Sequence, residues 1–220
     1  MNRLLLVLFA SMLTLGGTAR AQDLKLGTMS LEGRGLVSVF LVPEGGERCV
    51  VEVRDSTGTR VQAIEPEGLD CKEHWWARAF ATKDMNFDGF ADFGFTAVCG
   101  NRNCSCNWYL YNPVSSRFEA SSALADVSCD VRVDRKAKTL TFGSRGSMNS
   151  ENVDTYKWRD TELALVRQEV NLMVGPDPDA NVCVVTQIVS ELRQAGMVKV
   201  SRTCKLNGEP CSCDKAISIF

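Results

Sequence analysis

The chain has a single histidine, only three tyrosines and six prolines in 220 residues. With one imidazole, general-base chemistry has few places to reside, and no Gly-x-Ser-x-Gly, His-Glu-x-x-His or His-x-Glu element is present. That residue, His74, lies beside Trp75 and near Cys71. A Cys71–His74 catalytic pair is conceivable, but a cysteine in an oxidising compartment is expected in a bridge. The chain is therefore read as non-catalytic. Basic charge is not in excess either, with 25 Lys+Arg against 27 Asp+Glu. Nothing supplies the electrostatic footprint that a phosphate backbone requires, so nucleic acid is excluded as a partner. After the first fifteen residues no long apolar run occurs, which predicts no membrane span.

The start of the chain has its own logic. Arg3, the apolar stretch Leu4 to Leu15 and the small residues before Ala19-Arg20-Ala21 have the three-part layout of a secretory signal. Residues 1–21 are read as a signal peptide and Gln22 as the first mature residue. Removing Arg3 and Arg20 leaves 23 basic against 27 acidic side chains, a mildly acidic exported protein. No cysteine follows the apolar core, so a lipid anchor is not indicated, and the expected location is periplasmic or secreted.

All ten cysteines lie beyond that segment: Cys49, Cys71, Cys99, Cys104, Cys106, Cys129, Cys183, Cys204, Cys211 and Cys213. An even count in an oxidising compartment predicts disulfides, five at most, with connectivity left open. Two Cys-Ser-Cys elements, at 104–106 and 211–213, have soft-metal or redox ligation as an alternative. Cysteine is about 5% of the mature chain, below disulfide-dependent scaffolds. The bridges are expected to reinforce a core that about 200 residues can build for themselves.

From Leu24 to Cys204, short alternating runs separated by turn residues predict an all-β fold of antiparallel hairpins, propeller-like or sandwich-like. Expected strands cover 36–42, 49–54, 60–64, 74–81, 92–99, 107–111, 138–142, 154–158 and 163–170. Asp55-Ser56-Thr57-Gly58 and Arg159-Asp160-Thr161 read as hairpin turns. Val185, Ile188, Val189 and Leu192 recur at helical spacing with Gly196 as a candidate cap. A hairpin is preferred there, because Cys183 and Cys204 are equidistant from the Arg193-Gln194 step and would face each other across it. Gly175-Pro176-Asp177-Pro178-Asp179 reads as a linker, dividing a main domain (22–175) from a Cys-rich C-terminal hairpin or appendage (176–220).

The most specific motif is Asp84-Met85-Asn86-Phe87-Asp88-Gly89-Phe90-Ala91-Asp92. Oxygen-bearing side chains recur at positions 1, 3, 5 and 9, and glycine stands at position 6, where the chain must turn sharply around a Ca²⁺ ion. Asp84, Asn86, Asp88, Asp92 and the carbonyl of Phe90, with a water, would give six oxygen ligands. Position 12 is Phe95 rather than a bidentate glutamate, and the flanks alternate like strands, so a calcium-binding hairpin loop is expected and not an EF-hand, with a plain turn built on Asp88-Gly89 as the alternative. Without that glutamate the affinity is expected on the order of 10⁻⁴ to 10⁻³ M. Aromatic residues surround the loop: Trp75, Trp76, Phe87, Phe90, Phe93, Phe95, Trp108, Tyr109 and Tyr111. Neighbours in a strand point to opposite faces, so packing on two sides would bury both sets. Otherwise one set is exposed and available to stack on sugars or anchor a protein.

The calcium motif, a polar loop at 100–106, Asn107-Trp108-Tyr109-Leu110-Tyr111-Asn112-Pro113 and Arg117-Phe118 together resemble periplasmic proteins related to the immunity proteins for type IV secretion system effectors. The likeness continues weakly through 134–136, 139–142, 156–158 and 163–166. Those immunity proteins inhibit lysozyme-like peptidoglycan hydrolases, and the family is similar in architecture to inhibitors of invertebrate-type lysozymes. The resemblance implies an all-β, propeller-like fold, a calcium loop and action by occluding an enzyme's cleft. Lysozyme inhibitors often use a Ser/Gly-containing loop, and Ser144, Arg145, Ser147, Met148 and Asn149 are the best candidates here. Ten cysteines, a long Cys-rich C-terminus and the missing lipid-attachment cysteine depart from the family and leave the target open. The expected function is a non-catalytic, calcium-binding inhibitor or immunity protein against a lysozyme-like hydrolase. The alternative is a secreted carbohydrate-binding or adhesion module using exposed aromatics.

Overall fold

A computed structural model describes residues 23–45, 48–66, 80–99, 104–147, 150–172, 184–206 and 209–213. The signal segment, Cys71, His74, Trp75, Trp76, Met148, Asn149, the 175–179 linker and Cys183 lie outside them.

The fold is all-β, as expected. Three antiparallel meanders follow one another along the chain. The first sheet contains β1 (Leu24–Leu31), β2 (Gly35–Gly45), β3 (Arg48–Arg54) and β4 (Arg60–Ile64). The second contains β5 (Phe80–Lys83), β6 (Asp92–Cys99), β7 (Cys104–Asn112) and β8 (Arg117–Ala120). A 3₁₀ turn at Ser122–Leu124 leads to the third: β9 (Arg132–Asp134), β10 (Thr139–Ser147), β11 (Ser150–Arg159), β12 (Glu162–Leu172), β13 (Val184–Arg193), β14 (Gly196–Leu206) and β15 (Glu209–Pro210).

Side-chain alternation decides how the sheets stack. In β2, Val37, Val39 and Leu41 are buried while Leu36 is exposed. Together with Met29, Leu31, Val51 and Val53 they meet Phe93, Phe95, Tyr109, Tyr111 and Phe118 of the second sheet in one core. The opposite face of the second sheet carries Cys106 and Trp108, which join Met85, Leu124, Val127, Val131 and Leu140 in another core, with Phe142, Trp158 and Leu163 packed against it. The middle sheet is therefore buried on both faces. Gly94 makes this possible, since a Cβ there would stand 2.7 Å from the indole of Trp108 across the β6–β7 ladder.

This arrangement buries both aromatic faces of β6 and β7, while Phe87 and Phe90 on the loop are half-buried. Phe93, Phe95, Trp108, Tyr109 and Tyr111 are all within 5% of full burial, and Phe93 stacks on Tyr109 with ring centroids 5.0 Å apart.

One polar side chain joins the first sheet to the edge of the second. Gln62, buried in β4, donates from Nε2 to the carbonyl of Phe118 at 2.8 Å and accepts from the Phe118 amide at 2.8 Å. Its amide group thus replaces a neighbouring strand for β8. Gln62→Leu is expected to destabilise by about 1–3 kcal/mol for each of the two backbone groups of Phe118 that it leaves unpaired in a buried place. The midpoint of urea unfolding measures it.

The C-terminal segment is a hairpin, as preferred over the helix. β13 hydrogen-bonds to β12, so the hairpin continues the third sheet. The expected facing of Cys183 and Cys204 is corrected: Cys204 lies opposite Val185 and is bonded to Cys213. The turn residues are Gln194 and Ala195, because Arg193 pairs with Gly196. Centring the turn one residue later shifts the cross-strand register by two. The other two defined bridges are Cys99–Cys104, across the β6–β7 connection, and Cys106–Cys129. Cys49 and Cys211 are also disulfide-bonded, and no described cysteine is free. All four cysteines of the two Cys-Ser-Cys elements are therefore in bridges, which leaves no thiolate there for soft-metal ligation.

Candidate metal centre

The motif forms the connection between β5 and β6, with its local winding set by side chains that accept from nearby amides. Asp88 Oδ1 accepts from the Phe90 amide at 2.8 Å, Asn86 Oδ1 from the Asp88 amide at 3.3 Å and Asp84 Oδ2 from the Gly89 amide at 3.2 Å. Asp and Asn stabilise turns in this way. The backbone is left-handed at Phe87 (φ 62) and Gly89 (φ 93), and the latter is the sixth position, where glycine adopts that conformation without steric cost.

Asp92 closes the loop. It is fully buried, and its Oδ2 accepts from the Met85 amide at 2.7 Å while Oδ1 accepts from the Tyr111 amide at 2.8 Å. Met85 is itself fully buried, and its carbonyl accepts from Trp158 Nε1 at 2.7 Å. The loop is thereby pinned to the second sheet by Asp92 and to the third by Trp158. Burial pushes the Asp92 carboxyl up to about 7, the Tyr111 and Met85 amides oppose that shift, and the charges of Asp88 and Asp84 add to it. Negative charge is concentrated here, a condition that a cation relieves.

Asp84 is the loop residue whose environment bears on a cation. Its side chain is 6% exposed, and Oδ1 has no hydrogen-bond partner among the described residues, a condition shared there only by Asp154 Oδ1 in β11. A buried carboxylate oxygen without a partner is costly unless something pairs with it. The donors are all oxygen, which suits a hard cation. As placed, no three Asp, Glu, His or Cys side chains among the described residues stand together as a metal cluster. Asp92 contributes to this, since both its oxygens are directed at amides, although each retains a lone pair. Asp84, Asn86, Asp88 and Phe90 lie on the winding part of the loop, and Asp92 at its base.

Sequence reasoning missed Met85 and Trp158, which hold the loop, and Arg135. The Arg135 Nε lies 4.0 Å from Asp84 Oδ2. The available signal was charge: Arg135-Lys136-Ala137-Lys138, between β9 and β10, is basic where the calcium motif is acidic. The Phe90 ring packs 5.5 Å from that of Tyr111, and both line a cleft of about 450 Å³ with Glu32, Arg34, Pro113 and Ser116.

The candidate partner-binding segment is not the free loop expected. Ser144, Arg145 and Ser147 belong to β10, paired with Asn152, Glu151 and Ser150 of β11, and Ser147 and Ser150 hydroxyls are 2.9 Å apart. The Ser- and Gly-rich composition is accommodated in strand because the partner ladder supplies the backbone hydrogen bonds. Only residues 148–149 lie between the two strands. Arg135 and Trp158 place the Asp84–Asp92 loop at the opposite end of this hairpin, about 25 Å away at roughly 3.3 Å per strand residue.

No family model matches this sequence, and no curated protein matches it. Among solved structures, a Xanthomonas type IV secretion system related protein is similar, with a TM-score of 0.53 and 18% identity over 82% of this chain and 100% of that one. At that identity the likeness shows the fold.

Proposed function

We propose that the protein is an exported, non-catalytic calcium-binding protein that binds and blocks another protein, a lysozyme-like peptidoglycan hydrolase being the target class. The observation that carries the calcium part is the buried, unpartnered Asp84 Oδ1 within a loop of oxygen donors at calcium spacing. The bound ion would supply charge neutralisation and rigidity, and this chain's residues would do the rest. Asp84, Asn86, Asp88 and the Phe90 carbonyl would hold it, while Asp92 and Trp158 keep the loop attached to two sheets. Disulfides among the described residues fit an oxidising compartment. The inhibitor part is supported by the resemblance of residues 84–118 to the immunity-protein family and by the fold shared with a protein related to type IV secretion.

Calcium binding is tested by unfolding. With ~1 mM Ca²⁺ against a site of ~0.1 mM affinity, linkage gives about 1.4 kcal/mol of stabilisation. Asp88→Ala is expected to abolish that gain while the chain still folds, since the core and bridges are untouched. A variant that keeps the full calcium shift would remove the loop from this proposal. Inhibition is tested separately: a Ser147→Trp or Arg145→Glu variant should lose hydrolase inhibition, yet calcium should have little effect on contacts at that tip because of the distance. Retention on insoluble peptidoglycan without any effect on hydrolase rate would instead favour a glycan-binding module.

A further inference from the structure

We propose that Arg135 is a tethered counterion that competes with calcium for Asp84 and so sets the affinity of the loop. This rests on the calcium reading above and adds a regulating residue to it.

Asp84 has two differently placed oxygens. Oδ2 accepts from the Gly89 amide and has the Arg135 guanidinium at 4.0 Å, whereas Oδ1 has no hydrogen-bond partner among the described residues. The side chains differ sharply in exposure, 76% for Arg135 and 6% for Asp84. A buried carboxylate approached by a solvent-exposed guanidinium is partly neutralised by a group that can swing away at little cost. The carrier of that group is well anchored. Asp134 Oδ1 accepts from the Ala137 amide at 2.9 Å within the turn, and both flanking strands are paired, Thr139 with Asp134 and Thr141 with Arg132. The backbone thus holds Arg135 beside the loop while its side chain remains free to leave.

The electrostatic sign is unambiguous. A cation entering beside Asp84 is repelled by the guanidinium, and occupying Oδ2 requires displacing it. Removing the positive charge therefore strengthens calcium binding and weakens the calcium-free fold slightly. With the guanidinium in solvent, charges about 4 Å apart interact by roughly 1 kcal/mol, so the expected change in affinity is about three- to tenfold. Lys136 carries the same charge on the same turn, with no ion pair to the loop among those defined, and serves as the positional control.

The experiment is a calorimetric Ca²⁺ titration of the full exported chain, its Arg135→Gln variant and its Lys136→Gln variant, in low salt and again at high salt. Circular dichroism without calcium checks that each is folded. The expected result is a dissociation constant about three- to tenfold lower for Arg135→Gln, a smaller change for Lys136→Gln, and convergence of all three at high salt. Equal affinities for the parent chain and Arg135→Gln overturn this inference alone, as does weaker binding by Arg135→Gln, which would make Arg135 a positioning residue. No calcium uptake by any of the three overturns the calcium reading together with this inference.

Discussion

Asp92→Ala is expected to destabilise the protein by about 3–5 kcal/mol. Its two oxygens satisfy the amides of Met85 and Tyr111, and each buried amide left unpaired costs about 1–3 kcal/mol. Part of that is returned by removing a carboxylate that burial and the neighbouring Asp88 and Asp84 charges make costly to ionise. Against a total stability of about 5–15 kcal/mol, the remainder is a large share. Asp92→Asn keeps one acceptor and sets an NH₂ group against the other amide, so it should fall between the parent chain and the alanine variant. Urea unfolding of all three, with and without calcium, provides the measurement. The alanine variant should also lose calcium-dependent stabilisation, because the loop ends are no longer held together, and the asparagine variant should lose part of it. An alanine variant as stable as the parent chain would show that Asp92 does not close the loop.

Trp108→Ala should have a comparable effect by a different route. The indole is 2% exposed, fills the space opposite Gly94 and donates from Nε1 to the Val127 carbonyl at 3.2 Å. Truncating a buried tryptophan costs about 3–5 kcal/mol through lost transfer energy and the cavity that remains. Trp108→Phe keeps most of the ring and loses the hydrogen bond, for which about 1–2 kcal/mol is expected. Because Met85 packs in the same cluster, the alanine variant should also weaken calcium binding although no ligand is touched. Denaturant unfolding and calcium titration on the same samples separate the two effects.

Much of this fold was legible because its strands alternate cleanly. β4 and β6 have the bounds expected from the sequence, and the turns at 55–58 and 159–161 connect the strands they were expected to connect. β1 was missed: Leu24–Leu31 is interrupted by Gly27, and its register breaks between Lys25 and Gly27. β8 and β9, of four and three residues, are too short to show a period. What the sequence could not show was the layering. Large apolar residues at alternate positions of β6 and on both faces of β7 are compatible with an exposed aromatic platform or with a sheet buried on both sides, and only the sheets packed against it decide between these.

The candidate site was legible in part for the same reason. Spacing alone located Asp84, Asn86, Asp88 and Asp92 on one short loop, since their relation is local. Trp158, 73 residues from the Met85 carbonyl it serves, and Arg135 reach the loop through the third sheet, and local spacing carries no information about such contacts. Residues 144, 145 and 147 are in strand for the converse reason: serine and glycine favour turns, but pairing between β10 and β11 overrides composition where both strands continue.

The most direct test of the account is a cell-wall lysis assay in which purified lysozyme-like hydrolases, including any captured from periplasmic or culture extracts, are titrated with the exported protein in calcium. The account expects lysis by one of them to fall towards zero near one equivalent, with the protein unconsumed. Undiminished lysis by every captured and reference hydrolase, from a chain shown to be folded and calcium-loaded, would contradict it.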